Sequence, residues 1–308
     1  VEDLGAFENV EFPMPENFYD DYKNRRAAFE QDMTVDKTMT IGDDLKIGVD
    51  YSKPGMFGRL NTAEKAAYKK YYDQAEIEYN KVKNDSAALV KWKYQRYLKD
   101  YLSTAKGLDR NIGRILKYLD STGLAKNTIV VYTSDQGFYM GEHGWFDKRF
   151  MYEESLRTPF VIKYPGKIKP NTRVEDMVVN IDFTPTLLDM AGVNIPTDIQ
   201  GKSFSSRLLT SKTDKNWRKS MYYHYYEYPQ PHKVPAHFGV RTSRYKLIRF
   251  YGPFDAWELY DLEKDKTEMN NLFGKAGYEK ITTELKAELL KLVKEYKDVE
   301  AEKILLKN

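Results

Sequence analysis

Three features of the sequence predict an α/β fold. Residues 60–119 carry long stretches with apolar side chains at helical spacing. A glycine and the short apolar strand Ile129–Tyr132 follow, and we expect this strand to be buried. Together they form one helix-to-strand step of an α/β sheet. From about residue 212 the residue pattern changes and predicts about four aromatic-rich strands and a charged helix. We therefore expect part of an α/β sheet with flanking helices, followed by a small α+β subdomain.

Length and composition bound the organisation of the chain. A length of 308 residues allows roughly two domains, and the change in residue pattern predicts a boundary between 1–210 and 211–308. The net charge of +3 gives no argument for a nucleic-acid or membrane partner. The absence of cysteine excludes disulfides, thiol nucleophiles and Cys-ligated metals. No apolar run approaches the roughly 20 residues that a membrane span requires.

The first half of the chain predicts an irregular segment and then two helices. Residues 1–57 lack helical periodicity and are interrupted by prolines and glycines. The first helix is expected from Thr62, as its N-cap, to about Lys83, and the second runs from about Ala87 to Leu119. Gly123 lies where a terminating glycine belongs. We interpret an apolar stripe on the second helix as core; it comprises Leu98, Leu102, Ala105, Leu108, Ile112, Ile115, Leu116 and Leu119.

The second half predicts a short strand from about Thr158, ended by the Pro165-Gly166 turn, and then the small subdomain. Its four strands are expected at Met221–Tyr228, Phe238–Thr242, Tyr245–Phe250 and Trp257–Leu262. A single amphipathic helix is expected from about Tyr278 to Leu306. Tyrosines crowd the first of these strands, and we expect them to be core residues because alternate side chains face inward; they are Tyr222, Tyr223, Tyr225 and Tyr226.

The polar residues that follow Ile129–Tyr132 form the candidate site. Asp135 and Gln136 come directly after the strand, where α/β sheets bind ligands, and their oxygens suit a hard cation such as Ca²⁺. His143 adds a titratable imidazole, and an Asp-Lys-Arg run begins at Asp147. Taken singly, these residues indicate a turn, a structural histidine and a solvated face. Their concentration in one loop favours a site.

The run Asn127–Lys148 resembles the second half of type I, formylglycine-dependent sulfatases. Further resemblance at residues 2–22, 181–192 and 257–265 extends it over almost the whole chain. It implies an alkaline-phosphatase-like fold, sulfuric ester hydrolysis and a periplasmic or secreted location. By the same resemblance Asp135 and Gln136 bind calcium, although Gln136 replaces the commoner Asn or His. Lys148 contacts the sulfate. His143 is expected near the sulfate ester, either as a sulfate contact or as the proton donor, and a histidine in the missing upstream part is the alternative donor.

The Asp-Lys-Arg run also resembles bacterial sulfatases that act on 6-sulfated N-acetylglucosamine in heparan-type glycans. It implies a sulfated sugar or glycosaminoglycan oligosaccharide as partner, with Asp147 and Arg149 at the sugar hydroxyls. His224 and His237 are candidates to complete the sugar pocket. A structural hydrogen bond is an equally supported interpretation for these two histidines.

One departure from the family pattern is the missing nucleophile. The family's Cys or Ser in a Cys/Ser-x-Pro/Ala-x-Arg pattern has no counterpart here, and the paired aspartates of its first strand are absent. The chain therefore resembles a C-terminal part, with formylglycine expected in a missing N-terminal sulfatase segment. We expect the chain alone to be inactive. A phosphatase or phosphonate hydrolase of the same superfamily, and a non-catalytic carbohydrate-binding fragment, remain alternatives.

Overall fold

The computed structural model describes residues 1–53, 55–210 and 214–307. The chain divides into two compact units that alternate along the sequence. The first unit comprises Val1–Asp20, Asp32–Lys126 and Phe138–Asp147, and the second comprises Asp21–Gln31, Asn127–Gly137 and Lys148–Asn308. The predicted domain boundary after residue 210 is not tested by this division and stays a prediction. Among the described helices, none has the length and hydropathy that crossing a membrane requires.

The described residues form a long helical stretch, a mixed middle part, and a run of four strands followed by two helices. The α-helices are α1 (Arg26–Glu30), α2 (Thr62–Val82), α3 (Ser86–Ser121), α4 (Glu153–Leu156), α5 (Phe183–Met190), α6 (Ser205–Thr210), α7 (Glu279–Glu295) and α8 (Val299–Leu306). The strands are β1 (Val130–Thr133), β2 (Tyr139–Met140), β3 (Phe146–Asp147), β4 (Phe160–Lys163), β5 (Ser220–Tyr225), β6 (His237–Thr242), β7 (Tyr245–Phe250) and β8 (Ala256–Asp261). The predicted α/β class, with its C-terminal sheet and helix, is confirmed.

Helix α2 begins one residue earlier than predicted. The Asn61 side chain accepts a hydrogen bond from the Glu64 N–H, and the Glu64 carboxylate accepts one from the Asn61 N–H, both at 2.9 Å. This reciprocal capping box requires the acidic residue three positions after the cap, which Glu64 satisfies only when Asn61 is the cap. The predicted N-cap, Thr62, is therefore wrong.

The core of the first unit covers only part of α3. Leu98 is buried, but Leu108 is 54% exposed and Ile115 is 61% exposed. The interpretation of the whole stripe as core is therefore wrong for the C-terminal part of the helix. Helix α3 has 36 residues and α2 has 21, so at 1.5 Å per residue α3 is longer by about 22 Å. Its last turns extend beyond the helix against which its first turns pack.

Strands β1 and β4 form an antiparallel pair in the second unit. Val130 lies opposite Lys163, and Thr133 lies opposite Phe160. Tyr132 is 45% exposed, so the prediction that this strand is buried is wrong. Its apolar and aromatic composition indicated a strand correctly, but residue type does not determine which neighbours cover a strand.

The C-terminal part of the second unit is a four-stranded antiparallel sheet in the order β5-β6-β7-β8. Helix α7 packs on it through Leu285, Leu289, Leu292 and Val293. The prediction of one continuous final helix is wrong, because a turn interrupts the helix between α7 and α8. Lys297 takes a positive φ of 57°, and the Asp298 side chain accepts a hydrogen bond from the Ala301 N–H at 2.9 Å. Asp298 is thus the N-cap of a new helix.

A buried ionic network fastens the start of α4 to this sheet. The Lys246 ammonium lies 2.9 Å from a Glu153 carboxylate oxygen and 2.7 Å from one of Glu268. Arg241 also pairs with Glu153 at 3.0 Å, and the Glu153 N–H donates to the Glu268 carboxylate at 2.7 Å. Burial opposes ionisation of Glu153, but Lys246 and Arg241 outweigh it and lower the pKa of Glu153 to about 2.

A second buried carboxyl lies in a different environment. One oxygen of Glu258 accepts hydrogen bonds from the Tyr152 hydroxyl at 2.8 Å and from the Tyr260 hydroxyl at 2.7 Å. Burial raises the pKa of Glu258 to about 7, and the two tyrosine hydrogen bonds only partly oppose this shift. The carboxyl therefore holds a proton in the folded chain at pH values where an exposed glutamate has lost it.

The variant Glu258→Gln tests this assignment. As the pH rises from about 4.5 to about 7, we expect the free energy of unfolding of the wild type to fall relative to that of the variant. The reason is that the unfolded chain releases a proton in this window while the folded chain keeps it. Urea unfolding across this range measures the difference. Glu263→Gln, whose side chain is 69% exposed, is the matched control. A flat or rising difference for Glu258→Gln would contradict the assignment.

Candidate functional site

A cavity of about 790 Å³ in the second unit collects most of the predicted site residues. Asp135, Gln136, Lys148, Arg149 and His224 all line it. The remaining wall is formed mainly by side chains of β5 and by the turn between α7 and α8. The structure therefore brings together residues that are up to 89 positions apart in the sequence.

The turn after β1 holds Asp135 and Gln136 at the cavity. The Ser134 hydroxyl donates to the Gln136 carbonyl oxygen at 2.8 Å, which closes the turn. The Gly137 N–H donates to the Ser155 carbonyl oxygen at 2.8 Å. A Cβ on Gly137 would lie 1.9 Å from the Glu154 carbonyl oxygen, so only glycine allows this close approach.

The oxygen donors at this turn fit calcium in kind but are few. Asp135 offers two carboxylate oxygens and Gln136 one amide oxygen, and Ca²⁺ prefers such hard donors. Calcium takes six to eight oxygen ligands in proteins. Within the described ranges, no group of three or more His, Asp or Glu residues is arranged to hold a metal ion. The two residues therefore supply part of a coordination sphere.

Lys148 and Arg149 bring positive charge to the cavity from a strained segment. Both side chains are half-buried. Lys148 forms no ion pair with any of the described residues, so its charge is available to a ligand. The backbone φ is +69° at Asp147 and +141° at Arg149, conformations that L-residues rarely adopt. Such strain persists only where neighbouring structure enforces it.

The enforcing structure is the segment Phe150–Tyr152, whose three side chains are fully buried. The Phe150 ring stacks on His237 with centroids 6.0 Å apart. Met151 packs where a side chain on Gly239 would go, since a Cβ there would lie 2.6 Å from the methionine sulfur. Tyr152 donates to Glu258, as described above. The two cations therefore precede a rigid anchor on the sheet.

His237 belongs to this anchor. Its side chain is fully buried, and Nδ1 donates to the Pro235 carbonyl oxygen at 2.8 Å. Burial lowers the pKa of His237 to about 3, so the imidazole is neutral at ordinary pH. The described residues that line the cavity do not include it. Its contact with a sugar stays a prediction, and the geometry favours the structural interpretation.

His224 lies on the cavity wall with both ring nitrogens engaged. Nδ1 lies 2.5 Å from an Asp298 carboxylate oxygen, and Nε2 lies 2.8 Å from the Tyr251 hydroxyl. The ring stacks on Tyr226 with centroids 3.8 Å apart and an interplanar angle of 27°. His224 is therefore held in place by the protein, and its hydrogen-bonding capacity is used before any ligand arrives.

The tyrosines of β5, together with Tyr226 just after it, are part of this wall, which corrects their assignment to the core except for Tyr222, which also packs against the core under α7. Tyr222, Tyr223 and Tyr225 are half-buried, Tyr226 is 60% exposed, and all four line the cavity. Side chains alternate between the two faces of a sheet, but a position on either face is buried only where another element covers it. Strand β5 lies at the edge of its sheet, where its tyrosines are only partly covered and border the cavity.

Asp298 is a site residue that the sequence reasoning missed. Its carboxylate accepts hydrogen bonds from the Tyr222 hydroxyl at 2.8 Å and from the Tyr226 hydroxyl at 3.2 Å, in addition to its contact with His224. Burial opposes its ionisation, but the Ala301 N–H, His224 and Tyr222 outweigh burial and lower the pKa of Asp298. The available sequence signal was an aspartate at a helix start.

His143 and Asp147 belong to the first unit, whereas the residues that line the cavity belong to the second. His143 has a positive φ of 58°, and its Nδ1 lies 2.8 Å from an Asp20 carboxylate oxygen. The side chains of His143 and Asp20 are both fully buried. The aspartate orients the ring and favours the tautomer with a proton on Nδ1. Asp20 was also missed, because no sequence pattern pairs residues 123 positions apart.

Two family models match the chain. The model described as sulfatase matches residues 15–193, and the model described as N-sulphoglucosamine sulphohydrolase, C-terminal, matches residues 141–295. Together they extend over both units.

Individual relatives agree with the family models. An N-acetylglucosamine-6-O-sulfatase of Bacteroides thetaiotaomicron is 48% identical over 305 residues, covering 96% of this chain and 55% of the relative. An ulvan-active sulfatase of Formosa agariphila is 33% identical over 205 residues, covering 65% of this chain and 39% of the relative. The chain thus spans about half or less of the length of these relatives.

Solved structures share the fold. One protein, solved in complex with its substrate D-glucosamine-2-N,6-O-disulfate, is 46% identical with a TM-score of 0.93, over 100% of this chain and 64% of that one. A phosphonate monoester hydrolase from Silicibacter pomeroyi is 26% identical with a TM-score of 0.60, over 66% of this chain and 42% of that one. On the strength of the family models and these relatives, the chain belongs to the sulfatase family.

Proposed function

We propose that this chain is part of a sulfuric ester hydrolase that acts on 6-O-sulfated N-acetylglucosamine in glycosaminoglycans. The observation that carries the proposal is Lys148, a half-buried lysine that forms no ion pair with the described residues and lines a cavity together with Asp135 and Gln136. A cation held in this way suits an anionic ester. The name of the 48% identical relative supports the sugar and the position of the sulfate.

Each predicted residue has a role in this proposal. Lys148 stabilises the negative charge that develops on the sulfate group as the ester bond breaks. Asp147 and Arg149, on either side of it, hold hydroxyl groups of the sugar. His143, oriented by Asp20, donates a proton to the leaving alcohol, which is the work of a general acid.

The proposed calcium ion and formylglycine both require residues outside these 308. Asp135 and Gln136 would hold part of a calcium site, and a bound calcium ion would neutralise charge on the sulfate oxygens. The remaining calcium ligands and the formylglycine nucleophile belong to an N-terminal sulfatase segment outside these 308 residues, which contain no cysteine. The chain alone is then inactive. A periplasmic or secreted location is part of the same proposal.

His224 contributes to sugar binding indirectly, because its side chain is only 3% exposed. Asp298 and Tyr251 hold its nitrogens, and its ring stacks against that of Tyr226, which is 60% exposed and presents aromatic surface to the cavity. Aromatic side chains of this kind combine an apolar body with a polar edge, which matches the surface of a sugar ring. We assign this pair to the non-reacting part of the substrate.

A phosphonate monoester hydrolase is the second candidate function, favoured by the 26% identical structure with a TM-score of 0.60. Both reactions need cations around a tetrahedral anionic group, so the cavity alone does not separate them. Turnover of glucosamine 6-sulfate and of a phosphonate monoester by the same preparation, which must include the N-terminal segment, distinguishes the two. Higher kcat/KM for the phosphonate monoester would favour this second candidate.

Lys148→Ala tests the role of the lysine in the protein that carries the N-terminal segment. We expect kcat on glucosamine 6-sulfate to fall by about 10²–10³-fold, because a charge that stabilises the transition state is lost. Lys202→Ala is the matched control, since Lys202 is exposed and does not line the cavity. Initial rates over a range of substrate concentrations give kcat and KM for each variant. Unchanged turnover in Lys148→Ala would rule out this role.

Asp298→Asn tests the proposed sugar wall. The substitution weakens the grip on His224 and leaves the reacting groups in place, so we expect KM to rise about tenfold with kcat within about threefold. Asp255→Asn is the control: the Asp255 side chain is 59% exposed and forms an ion pair with Arg249. This substitution should leave kcat and KM unchanged. A fall in kcat without a rise in KM would assign Asp298 to the chemical step instead.

A further inference from the structure

A groove of about 1130 Å³ adjoins the cavity in the second unit. Strand β4 and the segment 164–176 form most of it, with Phe204 and Leu208 as further lining residues. Thr158 and Val178 line both the groove and the cavity, so the two concavities share a wall. The groove is therefore the neighbouring concave surface next to the cavity.

Four exposed cations line this groove within eleven positions of sequence. They are Lys163, Lys167, Lys169 and Arg173, and none forms an ion pair with the part of the chain that the structure describes.

The acids of the groove do not balance these cations. Asp176 is already paired with Arg207 at 2.6 Å, which leaves Glu175 as the acidic lining residue without an ion pair to the described residues. Four positive charges thus face one uncommitted negative charge. Cations that line one concave surface raise its local positive potential, which attracts an anion.

Apolar side chains lie between these cations. Phe160, Ile162, Ile168 and Val174 are half-buried lining residues, and Leu208 is buried. The Phe160 ring lies 4.8 Å from Phe183 and 5.4 Å from Phe204, between ring centroids, and Tyr164, the other aromatic residue that lines the groove, packs half-buried against the same core. Single-stranded nucleic acid needs accessible rings on which its bases stack. The groove instead suits a polyanion whose backbone has apolar C–H groups that can pack against these side chains.

We propose that this surface, the basic groove, binds the sulfated glycan chain beyond the sugar that occupies the cavity. The identification of the polyanion as a sulfated polysaccharide rests on the proposed function. Sulfate or carboxylate groups of the glycan pair with Lys163, Lys167, Lys169 and Arg173, and the sugar rings cover the apolar residues between them. A monosaccharide in the cavity does not reach the groove.

The experiment compares two variants of equal net charge in the protein that carries the N-terminal segment. The groove variant is K163E/K167E/K169E/R173E. The control variant is K70E/K81E/K106E/K117E, which reverses four exposed lysines of α2 and α3 that form no ion pair with the described residues. Dissociation constants for size-fractionated heparin oligosaccharides are measured at about 0.15 M salt. kcat/KM is measured on glucosamine 6-sulfate, and urea unfolding verifies that each variant is folded.

We expect the groove variant to bind the oligosaccharides at least about tenfold more weakly, because the local field that concentrates the anion is reversed. The control variant should stay within about threefold of the wild type. Neither variant should change kcat/KM on the monosaccharide more than about twofold. If the groove variant does not fold, K163Q/K167Q/K169Q/R173Q replaces it, with an expected loss of about threefold or more against an unchanged K70Q/K81Q/K106Q/K117Q.

Three results would overturn the proposal: equal loss in the groove and control variants, unchanged oligosaccharide binding in the groove variant, or wild-type binding of polyglutamate as tight as that of heparin oligosaccharides. Failure of the proposed function has a different signature. The wild type would then fail to hydrolyse glucosamine 6-sulfate, while the groove variant alone would still lose oligosaccharide binding. That result would support glycan binding in the basic groove and contradict the proposed reaction.

Discussion

The burial of Phe150–Tyr152 against the four-stranded sheet is the constraint on which the cavity depends. The residues just before it, Asp147 and Arg149, have positive φ angles that cost about 1–3 kcal/mol each. Fully burying three large side chains contributes about 1.5–3 kcal/mol each, which is enough to offset that strain. The ionic network at Glu153 secures the other end of the segment. Lys148 is thereby held on a short, doubly fastened stretch of backbone.

Much of the cavity was predictable because its chemistry is concentrated in one stretch of sequence. Asp135 and Gln136 follow a strand end, and Lys148 and Arg149 lie in the same loop, so local spacing was sufficient to find them. Their roles were suggested by resemblance and stay proposals. The four C-terminal strands were also predictable, because aromatic and β-branched runs separated by turn residues determine strands locally.

The features that could not be predicted depend on distant contacts. Asp20 meets His143 across 123 positions, and Asp298 meets His224 across 74, and neither pairing leaves a local pattern. The wall tyrosines were misassigned because edge position is a property of the sheet and not of the strand. The net charge of +3 likewise averages over the whole chain and conceals four neighbouring cations in one groove.

The edge position of β5 has a consequence for how relatives of this chain can diverge. On one margin β5 pairs with β6 through a complete ladder from Ser220 to Tyr225, and its other margin borders no strand of the described sheet. Substitutions of its outward side chains therefore reshape the cavity wall without removing a backbone hydrogen bond. Selection can therefore reshape the cavity along this strand while Gly137, Gly239 and the anchor stay unchanged.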